Sequence, residues 1–159
     1  MLGFSSTVYD WMKLVHVLAA ITWVGGGIFV QVYATRLMRR KEPLKLAAFA
    51  RDIGDLSNKF FAPAALTVVL IGIAMVIYTP AMDFTDTWIV LGLVGAAATF
   101  LTGALVIGPE SGRLGALAES RGPEDPEVQR RIERIFKISR IDLGVIVLVV
   151  VDMVLKPGR

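Results

Sequence analysis

His16 is the only histidine in the chain, and it lies inside the apolar run Leu14 to Val30. A neutral imidazole is the commonest metal ligand among side chains, and it also serves as an axial ligand to haem. A polar ring inside lipid is costly unless it has a partner. Three methionines extend the donor set. Met12 precedes His16 by one helical turn, while Met75 and Met153 stand near the ends of later apolar runs. A thioether is a soft ligand that suits copper(I) or a haem iron. With no cysteine, the chain cannot form disulfides, iron–sulfur clusters, thiolate zinc sites or a covalent c-type haem attachment.

Helical phase places Met12, His16, Ala20, Trp23, Gly27 and Val30 along one face. His16, Ala20, Trp23 and Gly27 would make a slot of small and aromatic side chains beside an imidazole, as a haem requires. Each polar residue also has a plainer role. His16 and Asp152 would satisfy one another as a buried pair. Asp152 and Lys156, four residues apart, would form an interfacial salt bridge. Methionines fill gaps in cores, and Met38 and Met82 suit that role. Asp142, next to Arg140, reads as a charge at the membrane boundary.

The elements that must position these groups are membrane helices. Hydrophobic residues make up 55% of the 159 and mean hydropathy is +0.63, well above a soluble norm. The net charge of +3 is segregated between apolar runs, a membrane pattern rather than a nucleic-acid one. The N-terminus has no basic n-region, and its apolar run is too long for a cleaved signal, so it reads as a retained helix.

Helix 1 is expected over residues 6–39, with Ser5, Ser6 and Thr7 as possible caps and Tyr9 and Trp11 at the interface. Leu46, Phe49, Ala50 and Ile53 recur at helical spacing. They mark either a short amphipathic surface helix or an extension of helix 2. Helix 2 covers about 60–78, with Pro63 in its first turn. Asp86 is positioned to cap helix 3, on which Gly92, Gly95, Ala96, Thr99 and Gly103 form a small-residue face. Asp125-Pro126 starts helix 4, which Pro157-Gly158 ends.

The result is an all-α fold: one four-helix transmembrane bundle spanning residues 1–159. Its spans are approximately 11–35, 60–79, 87–108 and 138–156. The 1–2 and 3–4 connections each hold seven Lys or Arg, whereas the 2–3 loop holds none. The positive-inside rule then gives an N-out/C-out topology, with helices 3 and 4 extending into the cytoplasm. At that orientation His16 and Met75 lie about 7 Å inside the outer boundary, and Asp152 and Met153 roughly 5–6 Å inside. Trp88 and Leu91 supply helix 3 at the same level.

The stretch from Leu14 to Gly27 resembles the first helix of a group of bacterial four-helix membrane proteins. The nearest resemblance is to an uncharacterised predicted integral membrane protein family. A more distant one is to the copper-resistance D proteins and to the HemJ-type membrane protoporphyrinogen oxidase. The ending Asp152 to Gly158 resembles their last helix. The resemblance implies haem b at His16 in the oxidase branch and copper in the other. The oxidase branch also uses a lysine in a later helix. Helix 3 here has none, and Lys156 stands at the far end of helix 4. The second axial ligand would then be Met75, Met153 or His16 of a second chain.

Three functions follow as expectations. The first is a b-type haem protein for electron transfer or haem-linked oxidation, with His16, Trp23, Gly27, Met75 and Met153 around the haem. The second is copper(I) binding or transport through His16, Met12, Met75 and Met153. The third is a structural or partner-binding subunit without a cofactor, in which Asp152 and Lys156 are polar partners. The expected setting is multi-pass in a bacterial cytoplasmic membrane. A homo-oligomer and a membrane or periplasmic redox partner fit that setting, and nucleic acid does not.

Overall fold

A computed structural model describes the backbone of residues 2–158 and the side chains of residues 7–158. Ser5 and Ser6, expected as caps, lie outside the described side chains. The chain forms four long helices. Helix α1 is Leu2–Arg39, α2 is Pro43–Tyr78 and α3 is Thr87–Arg121, and α4 is Pro126–Leu155. The first three are long and apolar enough to cross a membrane. In α4 the apolar stretch is interrupted by Arg140, Asp142 and Asp152. The helices run up and down: α1 packs on α2, α3 on α4, and α1 also on α4.

Local chemistry sets the helix ends. At the end of α1, Lys41 takes a left-handed conformation (φ 53). Glu42 N–H then donates to the Leu37 carbonyl and Lys41 N–H to that of Met38, the pairing of a Schellman cap. Pro43 opens α2 where a missing N–H costs nothing. The Asp125 carboxylate caps α4 by accepting from Glu127 N (2.7 Å) and Val128 N (3.4 Å). Asp86 holds the N-cap position of α3, but its carboxylate turns back to accept from Asp83 N (3.2 Å).

The segment from Pro43 to Leu56 extends α2 and is not a separate surface helix. Pro63 therefore falls inside a continuous helix, where it lacks the N–H that an α-helix would use. A π-turn at Ser57–Phe61 precedes it, with Ala62 N–H donating to the Ser57 carbonyl. The same device recurs in α3: a π-turn at Gly103–Ile107 comes two residues before Pro109. Widening the helix by one residue per turn relieves the clash of each proline with the preceding turn.

The two halves of the bundle pack differently. At the end carrying the Arg- and Lys-rich connections, here the basic end, lies an ordinary core of Val30, Ala34, Leu37, Leu46, Ala50, Ile53, Leu114, Val128, Ile132 and Phe136. Arg131 clamps that end by pairing with Glu110 and Glu127, each at 3.1 Å. Arg51 joins α2 to α3 through Glu119, also at 3.1 Å. At the opposite end the buried apolar cluster shrinks to Val76, Trp88 and Ile89. Large apolar side chains there face outward, Ile21 at 63% exposure and Ile77 and Val154 at 73%. Such a surface matches a lipid environment, in which outward apolar groups cost nothing.

Candidate functional site

Glycines fix the register of the α1–α2 seam. Gly26 faces the ring of Phe61, and Gly72 faces His16. A Cβ on Gly72 would stand 3.2 Å from His16 Cε1 and 3.5 Å from Nδ1, so a larger residue would make the imidazole give by a few tenths of an ångström. The imidazole also hydrogen-bonds to the Val68 backbone. Even so, Nδ1 is buried with no hydrogen-bond partner, an arrangement that costs about 1–3 kcal/mol. One turn further from the basic end, the antiparallel register brings Met12 and Met75 to a common level. Both are half-buried.

Asp152 and Met153 belong to a second seam, between α3 and α4. Gly92 gives space to the Met153 terminal methyl, and a Cβ there would lie 3.7 Å from Asp152 Oδ2. Both Asp152 oxygens are buried without a hydrogen-bond partner. His16 and Asp152 are therefore not a hydrogen-bonded pair, although sequence depth puts them at one level. Nor do Asp152 and Lys156 form a salt bridge among the described residues. The Lys156 ammonium sits 4.9 Å from the centre of the Trp88 ring, a cation–π contact. Trp88 Nε1 is itself buried and unpartnered. This end of the bundle thus concentrates four orphaned polar atoms on three helices.

Deeper in the bundle, all four helices border a cavity of about 90 Å³, on the order of three water molecules in volume. Trp23 and Gly27 line it from α1, Phe61 from α2, Thr99 and Gly103 from α3, and Ser139 and Asp142 from α4. Asp142 turns into the bundle and makes no ion pair among the described residues, while Arg140, two residues earlier, faces outward. The sequence held this signal in the helical phase: Ser139, Asp142, Leu143 and Ile146 share one face, and Ile146 is core. Thr99 is buried and its hydroxyl is occupied by the Gly95 and Ala96 carbonyls, each at 3.0 Å. The expected face thus splits. Trp23 and Gly27 reach the interior cavity, and His16 stays in the α1–α2 seam. Among the described residues no three His, Asp or Glu side chains gather as they would to hold a metal ion.

Long apolar helices, an outward apolar surface and polar groups held in helix seams define a multi-pass helical membrane protein. Residues 10–157 match the family model described as predicted integral membrane protein (DUF2269), and the chain belongs to that family. No curated protein and no solved structure matches it.

Proposed function

We propose that this protein handles a soft metal cation, copper(I) by class, at the end of the bundle away from the basic connections. His16 supplies the nitrogen ligand, and Met12 and Met75 supply thioethers. The observation that carries the reading is the buried, unpartnered Nδ1 of His16 in a seam notched by Gly72. A ligand on that nitrogen relieves the desolvation cost that the free protein bears. Thioethers favour copper(I) over harder ions, and the apolar seam keeps water from the donors. When bound, the ion would offer one-electron chemistry or a transfer site. The chain's own residues hold the imidazole in place and exclude water.

A b-type haem on His16 is the second reading. It is favoured by the position of Trp23 and Gly27, which continue the His16 face down to an interior cavity. That cavity is far smaller than a macrocycle, so haem requires α1 and α2 to part or a second chain to contribute its own His16. Met153, held against Gly92 on α3, is a candidate second ligand only after such a movement. In both readings we place the site on the outer face of a bacterial cytoplasmic membrane. The topology is N-out/C-out, with four spans and helices 3 and 4 extending into the cytoplasm. The charge contrast between the connections supports this orientation.

Anaerobic copper(I) titration against a chromophoric chelator, with visible spectra of the same preparation, tests both. One equivalent is expected to bind. His16→Ala should abolish binding, and Met12→Leu or Met75→Leu should weaken it by at least roughly tenfold, since even outer-shell changes cost that much. A haem absorption band that His16→Ala removes would reverse the order of the two readings. Binding of neither cofactor refutes both.

A further inference from the structure

At the basic end, on the opposite side of the molecule from His16, α1 and α4 enclose an open depression of about 760 Å³, lined by Gln31, Val32, Arg36, Arg39, Arg40 and Arg140. That volume has room for a glycerophosphate headgroup. Arg40 pairs with Glu42 at 3.9 Å, and Arg36 also feels the Glu42 charge. Arg39 and Arg140 make no ion pair among the described residues and leave the depression strongly positive. Gln31 borders it from α1. It is 7% exposed and its Nε2 donates to the Phe136 carbonyl at 3.3 Å. Its Oε1 is buried with no partner on a residue that borders the depression.

We infer that this depression binds the phosphate headgroup of an anionic phospholipid such as phosphatidylglycerol. The guanidinium forks take the phosphate oxygens in paired hydrogen bonds. A choline headgroup adds a cation that these guanidinium groups repel, which sets the anionic lipid apart. Above the arginines the surface becomes apolar: Ile28, Val32 and Ile141 are exposed at 45%, 63% and 64%. They form the track along which acyl chains would lie. A basic pocket between helices, continuous with an apolar track, is the form that lipid recognition takes at a membrane surface. A free phosphate would have no use for that track, so the lipid is the occupant to which the geometry points.

The test is native mass spectrometry of the full chain in mild detergent, after exchange into mixed phosphatidylglycerol and phosphatidylcholine micelles. The wild type should retain phosphatidylglycerol and lose phosphatidylcholine. Arg39→Gln/Arg140→Gln should weaken retention about thirtyfold, at the strength of two arginine contacts to an anionic surface. Arg130→Gln/Arg134→Gln removes the same charge from elsewhere on α4 and should leave retention unchanged. Equal loss in the two double variants would reduce the effect to net charge and overturn the site. So would equal retention of phosphatidylcholine by the wild type, or displacement of the lipid by millimolar inorganic phosphate. The two wild-type competitions need no variant, so they decide the matter even if the double variant fails to fold.

Discussion

Gly95 and Gly103 lie on one small-residue face of α3, and sequence alone gives them the same role in close helix packing. The structure separates them. A Cβ on Gly95 would fall under 3.0 Å from Val149 Cγ2, whereas a Cβ on Gly103 would meet nothing within 4 Å. Val149 is β-branched and has one strongly preferred rotamer in a helix, so it cannot swing aside cheaply. Gly95→Ala must therefore push α3 from α4, an overpacking cost of about 1–3 kcal/mol. Against this, alanine in place of glycine favours the helix by about 0.8–1.0 kcal/mol. Gly103→Ala receives only the favourable part. Subtracting one variant from the other cancels propensity and leaves overpacking alone. At roughly 2–4 °C per kcal/mol for a chain of this size, the two unfolding midpoints should differ by roughly 2–12 °C, with Gly95→Ala the lower. Thermal unfolding in a single detergent, followed by circular dichroism, measures this. Gly95→Ala/Val149→Ala should recover most of the loss, since the two sites are coupled through one contact. Equal midpoints for the two glycine variants would refute the assignment of this face to the α3–α4 seam.

Two further outcomes can be checked directly. Ile132 is fully buried in the basic-end core, so Ile132→Ala should lower stability by about 2–5 kcal/mol, read as a fall in the unfolding midpoint. Leu155→Ala, 72% exposed, should stay within about 0.5 kcal/mol of wild type. The proposed orientation makes a cysteine at Thr85 accessible to an impermeant thiol reagent in intact cells and one at Ser120 protected. The native chain has no cysteine to confuse the labelling, and the reverse pattern would invert the topology.

The helices themselves were legible because their signals are dense. Apolar runs give the spans, and Leu46, Phe49, Ala50 and Ile53 at helical spacing give a helix, though not whether it lies on the surface or extends α2. Pro63 was harder. Read as a first-turn proline it suggests that a helix starts near residue 60, but the π-turn lets α2 run through. No local propensity announces a π-turn. Gly108-Pro109 and Pro63 give only a reason for one to exist. Depth was also legible, since counting from Trp11 and Lys156 put His16 and Asp152 at one level. Azimuth was not. Which neighbour a helical residue faces depends on how four cylinders pack, and here α1 packs on α2, α2 on α3 and α3 on α4. The same gap hid Asp142. Its neighbour Arg140 suggested a boundary, yet a step of two residues along a helix turns a side chain by about 200°, to the other side.

The uneven packing of the two halves bears on where chemistry can occur. In lipid the hydrophobic drive between helices is absent, and association relies on close fit and polar contacts. The basic end escapes this limit: its core and the Arg131 and Arg51 ion pairs resemble those of a water-soluble bundle. The opposite end has a small apolar cluster and four buried polar atoms without partners. Orphaned groups of that kind would open an isolated helix pair, because each is better satisfied elsewhere. They persist because the clamped basic end sets the spacing of all four helices, and glycines at 72 and 92 set the local gaps. A ligand that satisfied His16 or Asp152, as proposed above, would gain binding energy at groups that the bundle already holds in place.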